Sequence, residues 1–195
     1  MVRRDIQFIP YHFYHIYNRG NNQESIFTED GNYIHFLNRL HYYFDPVNID
    51  LPAYCLMPNH FHLLVSPQKV IDLSNIMRSF SISYAKAFNK WCHRVGHVFQ
   101  GNFQTHPIER DGYLSHICRY IHLNPLKGGL VSMPDQWIFS DYREWISNNE
   151  EDKPGIRLRN ELFGKGEDYK KFVMDFADEQ RVQKELEKVL SISDF

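Results

Sequence analysis

Apolar and aromatic residues recur along the first two thirds of the chain with two different spacings. Alternating or short continuous apolar runs bounded by turn residues predict β-strands, whereas apolar residues three and four positions apart predict amphipathic helices. The predicted strands cover residues 11–18, 49–57, 60–65 and 103–109. The predicted helices cover residues 29–44, 73–94 and 111–123, the first capped by Thr28 and the last ended by Asn124-Pro125.

The order of the first six elements is strand, helix, strand, strand, helix, strand, which is the split βαβ order of ferredoxin-like domains. We therefore predict an α+β fold over residues 1–146, in which an antiparallel sheet carries helices on one face. Residues 147–166 are polar and contain Pro154 with three glycines, which predicts a linker. The charged amphipathic segment 167–190 predicts a helix. Residues 147–195 are thus expected to form a linker and an acidic C-terminal helical extension.

The charged residues are distributed unevenly, although the net charge of the whole chain is only −2. Residues 66–130 contain 8 basic and 3 acidic residues, and residues 131–195 contain 10 basic and 15 acidic residues. All eleven histidines lie at or before His122. Residues that attract anions or carry out chemistry are therefore concentrated in the first two thirds of the chain. The net charge alone does not indicate a nucleic-acid-binding protein, and an imbalance of a few charges also arises without a function.

Cysteine usage and hydropathy favour a cytoplasmic protein. Cys55, Cys92 and Cys118 are an odd number of cysteines without C-x-x-C spacing, which argues against a disulfide framework or a zinc ribbon. No apolar run approaches the roughly 18 residues of a membrane span, and the N-terminal residues lack the apolar core of a signal peptide. Secretion and membrane insertion are therefore not expected.

Two histidines separated by one residue open the third predicted strand. Because side chains alternate across a strand, His60 and His62 share one face, while Phe61, Leu63 and Val65 share the other and form the core. We therefore expect that neither histidine faces the core. Two imidazoles about 6–7 Å apart on one side of a strand form half of a divalent-metal site. A pair on an exposed strand face is also often only solvated.

The helix predicted over residues 111–123 has a polar stripe opposite an apolar stripe. The polar stripe consists of Tyr113, His116, Tyr120 and Asn124. The apolar stripe, which we expect to be buried, consists of Leu114, Ile117, Cys118 and Ile121. Tyrosines commonly pack half-buried with a solvated hydroxyl, so the polar stripe also fits a helix that is only scaffold.

A tyrosine beside a metal site can cut DNA and conserve the energy of the broken bond. Attack of the phenol on a phosphodiester releases a 3′-hydroxyl and leaves a phosphotyrosine, which a second hydroxyl later displaces. A divalent metal stabilises the charge that develops on the phosphate. His60 and His62 can supply imidazole ligands, and Asn124, one turn after Tyr120, can supply an amide oxygen. This set suits Mg²⁺ or Mn²⁺ less well than carboxylates would, but it leaves positions open for phosphate oxygens.

Five stretches of the chain carry a family resemblance. They are YHIYNRGNN (14–22), AYCLMPNHFHLLV (53–65), GHVFQGNFQ (96–104), YIHLNPLKGGLV (120–131) and WIFSDYREW (137–145). They resemble, in order and over roughly residues 8–146, the single-tyrosine HUH transposases, and in particular the branch of REP-associated tyrosine transposases. HUH denotes His–hydrophobic–His, here His60-Phe61-His62. Several motifs at compatible spacing make the resemblance specific.

The resemblance implies a catalytic domain over residues 1–146 that acts as a metal-dependent DNA endonuclease and strand transferase. Its substrate would be single-stranded or hairpin DNA, its intermediate a covalent 5′-phosphotyrosine, and its location the nucleoid. The resemblance assigns Tyr120 as the nucleophile and His60, His62 and Asn124 as ligands of Mg²⁺ or Mn²⁺. Related insertion-sequence enzymes form dimers that share the tyrosine helix, whereas the REP-associated branch is thought to act as monomers. Both a monomer and a homodimer therefore stay open.

Tyr113 is the alternative nucleophile. It lies on the same stripe as Tyr120, but one turn later it has Ile117 where Tyr120 has the polar Asn124. The alignment with the family also favours Tyr120.

Basic residues in and around these motifs are candidates for phosphate contacts. They are Arg19, Arg78, Lys86, Lys90, Arg110, Arg119 and Lys127. Each of them is also compatible with ordinary solvation of an exposed surface.

Two other functions fit the same residues. A catalytically silent hairpin-DNA-binding protein, derived from such an enzyme, would bind DNA without cutting it. A metal hydrolase that activates water at His60 and His62 would cut DNA without a covalent intermediate. The combination of Tyr120 with Asn124 argues against both alternatives without excluding them.

Overall fold

The computed structural model of the protein describes residues 8–108 and 111–175. Its strands are β1 (Tyr14–Arg19), β2 (Ile49–Met57), β3 (His60–Pro67) and β4 (Gln104–Pro107). Its α-helices are α1 (Asp30–Phe44), α2 (Leu73–Trp91), α3 (Asp111–Lys127), α4 (Tyr142–Ile146), α5 (Pro154–Phe163) and α6 (Gly166–Met174). Within the described part of the chain, no helix is long and apolar enough to span a membrane.

The four strands form one sheet in the order β2-β3-β1-β4, and every neighbouring pair is antiparallel. Because β1 and β2 both pair with β3, they run parallel to each other on either side of it. This is the split βαβ arrangement, so the predicted α+β, ferredoxin-like class is confirmed.

One face of the sheet is covered by α1 and α2, as predicted. Phe61, Leu63 and Val65 of β3 are fully buried there, together with Phe36 of α1 and Phe80 of α2. Burial of a large apolar side chain stabilises a fold by about 1.5–3 kcal/mol, so this aromatic core anchors β3 firmly.

The opposite face is also covered, which corrects the expectation of helices on one face only. There α3 crosses β2 and β3, and Ile117 and Ile121 pack against Cys55 and Leu64. Tyr169 of α6 is buried in the same core. The face that carries His60 and His62 therefore lies under a helix rather than in open solvent.

Helix α1 begins at Asp30 with Glu29 at the N-cap, so the predicted capping by Thr28 is wrong. The side chain of Asn32 explains the difference, because its Oδ1 accepts hydrogen bonds from both the backbone nitrogen and the hydroxyl of Thr28. Thr28, which precedes α1, is thus held by a side chain from the first turn of that helix.

Helix α3 passes through Pro125 and ends at Lys127, whereas the sequence predicts its end at residue 123. A proline removes one intrahelical hydrogen bond and disfavours helical backbone in the preceding residue. Burial of Leu123 and Pro125 against the protein outweighs this local cost. As a result Lys127 lies on the helix seven residues after Tyr120, two turns along the same face.

Helices α5 and α6 occupy most of the region where the sequence predicts a linker. Gly155 and Gly166, which suggested flexibility, instead allow close packing: a Cβ at Gly155 would lie 2.5 Å from the carbonyl oxygen of Pro52, and one at Gly166 would lie 2.7 Å from that of Ser147. Leu158 and Tyr169 are buried in the core beneath α3. The linker prediction is therefore wrong for residues 154–163. The predicted helix over 167–190 is described only to residue 174, and residues 176–195 lie outside the described part.

Candidate active site

A group of polar and aromatic side chains lies on the sheet face beneath α3. The antiparallel register places Tyr17 of β1 opposite His62 of β3, and Arg19 opposite His60. On the other side of β1, His15 pairs with His106 of β4. Three strands therefore contribute imidazole or phenol groups to one surface.

The two histidines of the H-F-H motif share this face, as predicted, with ring centres 5.1 Å apart. The Nδ1 atom of His60 lies 2.7 Å from Oδ1 of Asn59, and Nδ1 of His62 lies 3.0 Å from Nε2 of His15. A partner on Nδ1 restrains the rotation of each ring. Both rings lie on the face opposite Phe61, as expected, but His62 is only 1% exposed and is therefore buried rather than solvated.

Tyr120 of α3 meets this histidine pair within the same chain. Its ring lies edge-on to His62, with ring centres 5.3 Å apart, and edge-on to His15 at 6.1 Å. The Nζ atom of Lys127 lies 5.7 Å from the centre of the Tyr120 ring. Tyr113 lies two turns earlier on α3, about 10 Å along the helix axis. The phenol that contacts His62 is therefore that of Tyr120.

Asn124 faces both imidazoles from one turn beyond Tyr120. Its Nδ2 donates a hydrogen bond to the carbonyl oxygen of Tyr120 at 2.8 Å, which fixes the orientation of the amide. An interaction of the same side chain with His60 and with His62 raises the pKa of each imidazole, against the larger effect of burial. The amide of Asn124 therefore lies close to both imidazoles.

Burial keeps the histidines of this site neutral. It lowers the pKa of His60 to about 4 and that of His15 to about 3, where His106 adds to the effect. Burial, with His60 and His15 nearby, also lowers the pKa of His62 well below its ordinary value. A neutral imidazole is the form that binds a metal ion, so these rings need not lose a proton to do so at pH 7.

The donor set fits a divalent metal that retains other ligands. Among residues 8–108 and 111–175, no group of three or more histidine, cysteine, aspartate or glutamate side chains is arranged to hold a metal ion. The candidate ligands are two imidazoles and one amide oxygen, which leave positions for water or phosphate oxygens. The sequence predicted these three residues, and the structure brings them together.

The basic residues predicted to contact DNA are dispersed. Arg19 lies beside His60, where its charge contributes to the low pKa of that imidazole, and it bonds to Gln100. Lys127 lies beside Tyr120. Three others, on α2 and exposed, lie on the opposite face of the sheet from the histidines, namely Arg78, Lys86 and Lys90.

Arg119 contacts α6 in the structure rather than the surface that carries the histidines. Arg119 is buried under α6, where it bonds to His116 and to the carbonyl oxygen of Phe172, with its guanidinium 4.4 Å from the centre of the Phe172 ring. It serves the packing of α6 on α3. Arg110 lies outside the described residues.

Sequence reasoning assigned no role to His15, Tyr17 or His106. The hydroxyl of Tyr17 bonds to Nε2 of His106 at 2.9 Å, and His15 bonds to His62. Strand alternation in YHIYNR places His15 and Tyr17 on one face, and the split βαβ order puts β1 next to β3. Those two signals together could have identified these residues as neighbours of the proposed metal ligands.

Comparison with known proteins identifies relatives over the region that holds this site. Residues 9–124 match the family described as "Transposase IS200 like". A REP-associated tyrosine transposase of Escherichia coli K12 is 26% identical over 99 residues, 50% of this chain and 57% of its own length. A Haemophilus influenzae relative of the same kind is 27% identical over 112 residues, 52% of this chain and 61% of its own length. The chain thus spans about three fifths of these curated relatives.

The fold is similar to that of a solved REP-associated tyrosine transposase bound to a REP hairpin. The TM-score is 0.62 at 21% sequence identity, and the match covers 75% of this chain and 86% of the other. These matches confirm the resemblance that the sequence motifs indicate.

Proposed function

Because this chain belongs to the family of IS200-like transposases, we propose that it cleaves and rejoins single-stranded or hairpin DNA through a covalent 5′-phosphotyrosine at Tyr120. The observation that carries the proposal is the meeting of this phenol with His60, His62 and Asn124 in one chain. No second subunit is needed to complete that arrangement.

The chemistry is a transfer of the phosphoryl group from one oxygen to another. The phenol oxygen of Tyr120 forms a bond to phosphorus while the bond to the 3′ oxygen of the preceding nucleotide breaks. The phenol proton is balanced by the proton that the departing 3′ oxygen acquires from solvent. Since a phosphodiester is exchanged for a phosphotyrosine, a later attack by a 3′-hydroxyl can rejoin strands without ATP.

His60, His62 and Asn124 would hold the divalent metal. When bound, such an ion neutralises charge on the phosphate as the transition state forms. The chain's own contribution is to keep both imidazoles neutral by burial and to hold the amide of Asn124 with the carbonyl oxygen of Tyr120. The ligand amide and the nucleophile are thereby linked through one turn of α3.

Hairpin DNA is the favoured substrate class. The structural neighbour with the same fold is bound to a REP hairpin, which supports a similar partner for this chain. Arg19 and Lys127 lie next to the site and can contact phosphates on either side of the cleaved bond. The exposed basic residues of α2 lie on the other face, so they would contact only DNA that extends around the protein.

The decisive experiment uses end-labelled hairpin oligonucleotides that carry single-stranded flanks. Incubation with Mn²⁺ should yield a labelled protein–DNA complex that survives denaturing electrophoresis. EDTA should prevent its formation, and added Mn²⁺ should restore it. Hairpin binding with no denaturation-resistant complex would favour the catalytically silent binding protein. Cleavage without that complex would favour the hydrolase that uses water.

Replacing Lys127 by Met is expected to slow formation of the covalent complex by about 10–100-fold, because removal of one charge-stabilising donor from an active site typically costs this much or more. The ammonium group beside the Tyr120 ring favours negative charge on the phenol oxygen and on the attacked phosphate. Single-turnover rates at saturating DNA measure the effect, and Lys127→Arg should retain most of the rate.

Lys69→Met is the matched control for Lys127→Met. Lys69 is exposed just beyond the end of β3, whereas His60 lies at the start of that strand. Its loss should change the rate by less than about 2-fold, as for a surface charge remote from the chemistry. Equal rates for the Lys127 and Lys69 variants would remove Lys127 from the mechanism.

A further inference from the structure

His15 is a buried residue next to the proposed metal site. It lies on β1, is fully buried, and has its ring plane within 16° of that of His62, with ring centres 5.1 Å apart. Its ring also meets the edge of Tyr120. His15 therefore contacts both a proposed metal ligand and the proposed nucleophile.

We infer that His15 is a positioning residue for the metal site, because its Nε2 holds Nδ1 of His62 at 3.0 Å and so aims the opposite nitrogen of His62 at the ligand position. The inference rests on the proposed function. It concerns a residue that would not itself touch the metal or the DNA.

The physical reason lies in the two nitrogens of an imidazole. A neutral imidazole that binds a metal through one nitrogen must carry its proton on the other. An acceptor at the protonated nitrogen selects that tautomer and restrains rotation of the ring. Nε2 of His15 is placed to accept from Nδ1–H of His62, which leaves Nε2 of His62 to bind the metal.

Simple packing does not explain a histidine at this position. The other ring nitrogen of His15, Nδ1, is buried and has no hydrogen-bond partner among the described residues. An unpaired buried polar atom costs about 1–3 kcal/mol, so an apolar side chain of similar size would stabilise the fold better. The hydrogen bond to His62 is the property of His15 that an apolar side chain lacks.

His15→Gln and His15→Met form a matched pair for a test, because the two side chains are similar in size and flexibility and only Gln can hydrogen-bond. Titration of the DNA-free protein with Mn²⁺, with free Mn²⁺ followed by electron paramagnetic resonance, gives the dissociation constant. His15→Met should raise it by about 10–100-fold, the usual effect of losing such a partner, and His15→Gln should stay within about 5-fold of the unmodified protein.

Two controls separate positioning from packing. His106→Phe removes the partner of Tyr17 on the same sheet face and should change the Mn²⁺ dissociation constant by less than about 3-fold, because the bond that is lost is the one to Tyr17, which is not a proposed ligand. Thermal unfolding midpoints of the Gln and Met variants should be similar. If the Met variant does not fold, His15→Phe preserves the ring and takes its place.

The outcomes distinguish this inference from the proposed function. Mn²⁺ binding by the Met variant that equals that of the Gln variant would overturn the role of His15 and leave the proposed function intact. Failure of the unmodified protein to bind Mn²⁺ would overturn both the metal ligand assignment and the role of His15. Weak Mn²⁺ binding by His15→Met together with near-normal Mn²⁺ binding by His15→Gln is the result that supports the role of His15.

Discussion

Tyr120→Phe is expected to abolish both DNA cleavage and the covalent protein–DNA complex, with a loss of at least about 10³-fold in rate, or about 4 kcal/mol of barrier. The substitution removes the phenol oxygen and keeps the ring that packs against His62 and His15. Hairpin affinity, measured by gel shift, should change by less than about 3-fold, since a single uncharged hydroxyl contributes little to backbone contacts with DNA. The unfolding temperature should stay within a few degrees.

Tyr113→Phe is the control for this experiment, because Tyr113 is the other tyrosine on the predicted polar stripe of α3. It should form the covalent complex at a rate close to that of the unmodified protein. Undiminished cleavage by Tyr120→Phe would contradict the assignment of the nucleophile. If cleavage persisted but the covalent complex disappeared, a water nucleophile at the histidine pair would be indicated instead.

The sheet, the three proposed metal ligands and the proposed nucleophile could be predicted, because local signals and tertiary packing agree at these positions. His60 and His62 alternate with Phe61 and Leu63 along β3, and the structure keeps that alternation with Phe61 buried on one face and His62 on the other. The spacing of Tyr120 and Asn124 by one helical turn survives unchanged in α3. The residue spacing was therefore enough to predict which face of β3 and of α3 carries the three proposed ligands and the proposed nucleophile.

The errors arise where distant packing overrides local preference. Pro125 is a sound signal for the end of a helix, but burial of the last turns of α3 carries the helix to Lys127. Gly155 and Gly166 are typical of flexible segments, yet they lie against the backbone carbonyl groups of Pro52 and Ser147. Neither contact can be inferred without knowing that α5 packs on β2 and that α6 packs on α4.

The same limit applies to the residues that contact the proposed ligands from neighbouring strands. His15 is 47 residues from His62 along the chain, so their hydrogen bond depends on strand register rather than on any local motif. Arg119 was expected at the DNA surface because it adjoins Tyr120, but α6 covers it. Neighbouring residues on a helix point in different directions, and sequence adjacency to the nucleophile was therefore a weak guide.

A buried hydrogen-bond network ties α3 to the elements that follow it. Nε2 of His122 lies 3.0 Å from Oδ1 of Asp141, and Nδ1 of His122 lies 2.6 Å from the hydroxyl of Tyr169. The carboxylate of Asp141 also accepts from the backbone nitrogen of Tyr54 at 2.7 Å and from Nε1 of Trp145 at 3.1 Å. Asp141 thus links β2, α3 and α4 by hydrogen bonds, and Tyr169 links α6 to His122 of α3.

Asp141→Asn is expected to lower the free energy of unfolding by about 2–4 kcal/mol, because a buried network that is only partly satisfied carries the full cost of its unpaired groups. The carboxylate accepts from three N–H groups, and the amide of Asn would turn a donor toward at least one of them. Urea unfolding followed by circular dichroism measures the change. Asp152→Asn, which removes only an exposed partner of Arg157, should cost less than about 1 kcal/mol. If both variants unfolded at the same urea concentration, the network would not be what holds α3, and with it Tyr120, against the sheet.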